Sequence, residues 1–358
     1  MSIEEAHLSA LRIIAGETAY KQIESEGFRQ QLFTQILAAS GGPKWIGIAG
    51  LDKYLFGEFF KHREDPLYML GASSGAWRLA CLGQQNPLEA YDRLEHYYIN
   101  QRYDTVPTRE QVSEKVSYIV NGILGEQAGK DIIANPIFRN HIVACRAKHV
   151  NASQSKLGLA IGLALTAACN SMSRKSLHWH FERVMLSHQD AASPFGRLKD
   201  LPTKHKQLTE NNIQQAMLAT GSIPFVLAPV QQIHGLPEGK YYDGGITDYH
   251  FDLPLPIESG LTMYPHFYEH MSPGWFDKSL VWRKAKQNYH NALILAPSNG
   301  YIAKLPYSKL PDRTDFKQLD SDSRIQYWQK SVKQSQQLAD ELATIIDKGT
   351  IMEHMVRW

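Results

Sequence analysis

The sequence is short of cysteine, of net charge and of long apolar runs, and each shortage removes a class of protein. Cys81, Cys145 and Cys169 stand far apart in 358 residues and lack metal-ligand spacing. They exclude a disulfide-stapled scaffold and read as buried thiols of a reducing compartment. A formal net charge of +2 gives no electrostatic footprint for nucleic acid. The longest apolar run, Leu157 to Cys169, is roughly thirteen residues against the ~20 that a membrane span needs. Rich in Ala and Gly, it reads as a close-packed core helix. Met1-Ser2-Ile3-Glu4-Glu5-Ala6-His7 is acidic with no apolar stretch behind it, which predicts no signal peptide and a cytoplasmic protein. No repeat, low-complexity tract or Pro/Gly/Ser-rich linker divides the chain. What remains is 43% hydrophobic and 21% charged, enough for a sizeable globular core.

Within that core the most informative stretch is Gly71-Ala72-Ser73-Ser74-Gly75, which follows the apolar run Leu67-Tyr68-Met69-Leu70. Strand, sharp serine turn and a helix from about Ala76 to Gln84 would push a hydroxyl out at the carboxyl end of a sheet. The same five residues would also suit a plain Gly/Ser-rich turn ending a strand. Upstream, Leu32 to Leu37 is β-favouring and runs into Ala38-Ala39-Ser40-Gly41-Gly42-Pro43-Lys44. Apolar residues then recur at helical spacing from Trp45 to Phe59, with Pro43 suited to a first helical position. Such a glycine turn into a helix collects free backbone N–H groups where an anion or an oxyanion is welcome. It lacks the spacing of a phosphate-binding P-loop.

Further on, Ala219-Thr220-Gly221-Ser222-Ile223-Pro224-Phe225 leads to Tyr241-Tyr242-Asp243-Gly244-Gly245. A glycine loop before a helix, a Gly-x-Ser-x-Gly elbow and a late Asp-Gly-Gly, in that order, resemble the patatin-like phospholipase family of Ser–Asp dyad acyl hydrolases. The resemblance covers roughly Gln31 to Pro254. It implies Ser73 as nucleophile, Asp243 as base and an oxyanion loop of Ser40, Gly41 and Gly42. Lys44, Gly71, Gly75, Gly244 and Gly245 are implied as supporting residues, and no metal or organic cofactor is implied. Two departures stand out. Ser40 occupies the family's first glycine position, and Asp248-Tyr249-His250 to Pro254 replaces the usual Asn-x-Pro after Asp-Gly-Gly. The implied fold is a three-layer α/β/α sandwich with a mostly parallel central sheet and a C-terminal helical extension. Its expected divisions are an N-terminal extension over 1–30, a catalytic domain over 31–258 and an extension over 259–358 packed on the same domain.

The chemistry follows from the residue types. A serine hydroxyl is a poor nucleophile until a positioned base takes its proton, so Asp243 needs a carboxyl pKa raised by burial. The substrate class implied is a lipid or fatty-acyl ester. Three rivals remain open: an acyltransferase with the same nucleophile, a Ser-His-Asp hydrolase using His250, His266, His270 or His290, and a silent lipid- or protein-binding module. Trp275, Trp282, Arg283 and Lys284, in a segment running to Lys286, combine aromatics with cations and suit peripheral membrane contact. The same segment also suits a solvated helix with its aromatics turned inward. Met263 to Trp275 reads as a loop covering the site.

Elsewhere, Leu88 to Tyr103, Arg109 to Leu124, Glu210 to Ala219 and Ser321 to Lys348 read as helices. His141 to Val150, Leu177 to His188 and Ala292 to Ala296 read as strands.

Overall fold

The computed structural model describes residues 9–103, 105–188, 190, 192–256, 260–285 and 287–358. The expectations placed on Met1–His7, on Lys286 and on the 258/259 division lie outside the described residues.

Among the described residues ten strands form one sheet: β1 (Leu11–Ala15), β2 (Phe33–Ala38), β3 (Leu67–Ala72), β4 (Phe138–Ala147), β5 (Phe181–Ser187), β6 (Thr203–Gln207), β7 (Tyr241–Asp243), β8 (Leu261–Pro265), β9 (Ala292–Pro297) and β10 (Met355–Arg357). Their order is β10-β1-β9-β8-β2-β3-β4-β5-β6, with β7 paired to β4 off that path. From β9 to β4 every neighbour is parallel. The β1·β9, β4·β5 and β4·β7 pairs are antiparallel. Parallel strands are covered on both faces, and β9, with the sequence ALILAP, is accordingly buried at every position. The protein is therefore α/β with a large, mostly parallel mixed sheet, consistent with an α/β sandwich. Strands β2 and β3 are parallel neighbours, so the turns that follow them leave at the same carboxyl edge of the sheet, where Gly42 and Ser73 line one crevice.

The segments flanking residues 31–258 belong to this same sheet. β1 pairs with β9 and β10, and β8 pairs with β2. Of Met263 to Trp275, the first residues are not loop but complete the buried strand β8, and Phe267, in the loop that follows, lies in the core.

Helix boundaries follow their local chemistry. Arg109–Leu124 starts at a capping box, in which Thr108 Oγ1 accepts from the Gln111 amide and Gln111 accepts from the Thr108 amide. It ends at Gly125, where φ is 60°. The helix expected over Leu88–Tyr103 is Pro87–Ile99, because the Asn100 and Gln101 side chains take the last carbonyls. The Thr209 carbonyl accepts the Asn212 and Ile213 amides at the start of the helix expected over Glu210–Ala219. The Thr209 amide is held by Asn212, and the helix runs Ile213–Gly221. Leu177–His180 forms a helical turn ahead of β5, where alternation alone had suggested strand. Ser321–Asp347 is a long helix capped by Asp320.

The run Leu157–Cys169 requires a correction. It lies in a helix, Lys156–Met172, but only one stripe is buried, namely Leu159, Gly162, Leu163, Thr166 and Asn170. That stripe covers a small cluster around Cys145, Ala147, Phe181, Tyr242 and Ile246. The opposite face looks outward, and it is as apolar as the inner one, so composition could not separate the two. No described helix is long and apolar enough to cross a membrane.

Behind the crevice, Arg78 and Asp52 form a fully buried bidentate pair at 2.6 and 2.7 Å, and the Tyr91 hydroxyl donates to Asp52 at 2.6 Å. Removing one member strands the other's charge in a medium that cannot hydrate it. Asp52→Ala should therefore cost about 3–5 kcal/mol in urea unfolding. A loss below about 1 kcal/mol, the scale of an exposed pair, would show that Arg78 finds water or another partner.

Candidate active site

Strand β3 delivers Ser73 to the crevice at φ 55°, ψ −134°, a left-handed conformation that a non-glycine residue adopts only when its surroundings hold it. Here the Ser73 amide donates to Thr220 Oγ1 at 2.8 Å, and that hydroxyl donates to the Val143 carbonyl at 2.6 Å. The helix Ser74–Leu82 starts at once, with the Ala76 and Trp77 amides donating to the Ser73 carbonyl. Both flanking glycines are required by close approach. A Cβ at residue 71 would lie 2.5 Å from Ala76 Cα, and one at residue 75 only 2.0 Å from the Ala38 carbonyl oxygen.

Asp243 ends the short strand β7, opposite Ala144 of β4, and its amide donates to the Ser222 carbonyl. Its carboxylate is divided between two donors. Oδ2 accepts the Ser73 hydroxyl at 2.6 Å, and Oδ1 accepts the Gly245 amide at 2.7 Å. Gly244 and Gly245 let this loop press inward, since a Cβ at 244 would meet the Val143 carbonyl oxygen at 2.2 Å and one at 245 the Ser40 hydroxyl at 2.6 Å. Burial pushes the Asp243 carboxyl above the ordinary aspartate range. Arg313, the two hydrogen bonds and Lys278 pull the other way without reversing it.

The glycine loop follows β2. The amides of Gly41 and Gly42 make no hydrogen bond among the described residues, and Gly42, at φ 58°, opens the helical turn Gly42–Ile48. Ser40 is different. Its amide donates to the Tyr249 carbonyl at 2.9 Å, so it is not free to meet an oxyanion, and this corrects the expected donor set. Ser74, the residue after Ser73, lines the same cavity as Gly42, and as first residue of its helix its amide has no helical acceptor. The Phe267 ring packs against Gly41, where a Cβ would come within 2.4 Å of it. Burial lowers the pKa of half-buried Lys44, opposed by Asp312 in the C-terminal segment.

Above Ser73 opens a cavity of about 800 Å³. Trp77, Val112, Val116, Ile119 and Ile223 give it an apolar wall, and Arg313 closes it beside Gly42. Arg313, which no motif marks, and Lys278, which lies in the aromatic and cationic segment that begins at Trp275, set the charge around Asp243. The Lys278 ammonium lies 3.8 Å from the Tyr249 ring centre. Lost hydration, then the cations Arg313 and Lys44, push the Lys278 pKa down to about 7. Thr220 sat in a recognised block, but its part in holding the elbow had no sequence signal.

Among the described residues no imidazole hydrogen bonds to Ser73 or Asp243. His250 Nδ1 accepts from the Ser272 amide and His266 Nδ1 from the Tyr268 amide. Trp275 and Phe276 form a single turn half-buried against the Lys156–Met172 helix, while Trp282 is exposed.

No protein-family model matches this chain, and no curated protein matches it either.

Proposed function

We propose that this protein is a serine lipid acyl hydrolase of patatin-like type, working through a Ser73–Asp243 dyad and an acyl-enzyme. The observation that carries the proposal is the 2.6 Å hydrogen bond from Ser73 Oγ, on a strained elbow, to a buried aspartate. Asp243 Oδ2 takes the Ser73 proton as Oγ attacks the ester carbonyl. The oxyanion forms against the amides of Gly41 and Gly42, with Ser74 adjacent. Collapse of the tetrahedral intermediate expels the alcohol, which recovers the proton from Asp243. Water, deprotonated by the same carboxylate, then releases the fatty acid. A raised carboxyl pKa suits both directions of proton transfer, and the apolar wall suits an acyl chain.

A fluorophosphonate probe tests this directly. Wild type should be labelled and should hydrolyse p-nitrophenyl esters, with octanoate favoured over acetate because the longer chain has more apolar surface to bury against the cavity wall that includes Val116 and Ile119. Ser73→Ala should lose label and turnover together. Turnover that survives in Ser73→Ala would reject the assignment.

A further inference from the structure

We propose that the outward face of the Lys156–Met172 helix is a docking surface for an anionic lipid bilayer. Leu157, Ile161, Leu165 and Met172 are 71, 49, 49 and 80% exposed and run in one line down the helix. No charged side chain interrupts the sequence between Lys156 and Arg174. A soluble surface rarely leaves so continuous an aliphatic ridge in water without a partner. The ridge continues onto the neighbouring turn. The Arg283 guanidinium donates to the Asn170 and Ser171 carbonyls, both at 3.1 Å, which brings exposed Val281 and Trp282 to the helix's C-terminal end.

Charge selects the occupant. From Ala147 to Phe181 the sequence has no Asp or Glu, whereas Lys148, Lys156 and Lys175 are basic and Lys156 and Lys175 are exposed; Arg174 is already paired with Asp277. Two copies of this face packed antiparallel would set Lys156 against Lys175, and packed parallel would set each of these lysines against itself. Either arrangement is repulsive. An anionic bilayer satisfies both features, taking the aliphatic ridge into the headgroup–acyl boundary and the cations among the headgroups.

The surface is also tied to the candidate active site. Asn170 donates to Asp277 at 2.7 Å, and Asp277 accepts the Gly274 amide at 2.9 Å. Arg174 bridges Asp277 and the Thr247 carbonyl, on the loop that begins at Asp243. A bilayer seated here lies beside the segment that positions the carboxylate.

The test uses the full chain and vesicles of ether-linked phosphatidylcholine, with or without ether-linked phosphatidylglycerol. These lipids have no carboxylic ester, so the outcome is independent of acyl transfer at Ser73. Wild type should co-sediment with the anionic vesicles about tenfold or more better than with phosphatidylcholine alone, and this should weaken in high salt. Ile161→Glu and Leu165→Glu should each lose that binding by about tenfold, since each puts a carboxylate where acyl chains would be. Both sites are solvent-exposed, and unchanged circular dichroism and hydrolysis of a soluble short-chain ester would establish folding. Absence of wild-type binding overturns the proposal, as does equal binding by the variants. A wild-type dimer that Ile161→Glu dissociates, with vesicle binding unaltered, assigns the face to a second copy instead.

Discussion

Asp243→Asn should lower turnover by about 10³–10⁴-fold and, at neutral pH, raise the unfolding temperature. The first effect follows from the two hydrogen bonds of the carboxylate. An asparagine oxygen can still accept from the Gly245 amide, so the loop keeps its shape, but no atom remains to take the Ser73 proton. The second follows from the direction of the pKa shift. Burial holds the folded-state pKa of Asp243 above its unfolded value. Between the two values the folded protein retains a proton that the unfolded chain has released, so stability falls as pH rises through that window and stays lower above it. The neutral amide escapes that penalty. Melting curves at pH 7 should therefore favour the variant, and the advantage should vanish at a pH where both states protonate Asp243. Wild-type turnover should fall on the acid side, below the raised pKa, where a protonated carboxyl cannot act as base. Turnover within tenfold of wild type, or a lower melting temperature at pH 7, would reject the role given to this carboxylate.

The parts legible in sequence were those whose causes are local. The elbow needs small residues at 71 and 75 and a serine between them, and all three appear within five positions. The Arg109–Leu124 helix has its start at Thr108 and Gln111 and its stop at Gly125, all adjacent to it. What escaped depends on distant chain. Thr220 reaches Ser73 across 147 residues and Val143 across 77. The Ser40 amide is taken by a backbone carbonyl, Tyr249, which leaves no side-chain signature at all. Arg313 comes to Gly42 from beyond the region where the family resemblance ends. The outward face of Lys156–Met172 escaped for another reason. Burial is read from contrast between apolar and polar faces, and this helix offers no contrast.

The geometry that makes the elbow legible also makes it fragile, and Gly75→Ala exposes this. A methyl group at 75 would sit 2.0 Å from the Ala38 carbonyl oxygen and 2.4 Å from its carbon. Both atoms are backbone, in the strand that leads into the glycine loop, so no side chain can swing aside. Either the Ser74–Leu82 helix lifts off β2 or β2 shifts with its glycine loop, and each carries Ser73 away from Asp243. Overpacking against backbone belongs at the upper end of its range, about 3 kcal/mol or more, with activity lost in whatever folds. Gly196→Ala is the matched control, because a Cβ there meets no atom within 4 Å and its φ is not in the left-handed region. It should change stability by less than about 0.5 kcal/mol. Urea denaturation of both variants beside wild type measures the contrast. Equal stability of Gly75→Ala and Gly196→Ala would mean that the helix and strand can separate by more than an ångström at no cost. The close contact between β2 and the Ser74–Leu82 helix would then have no part in holding Ser73 at its strained φ.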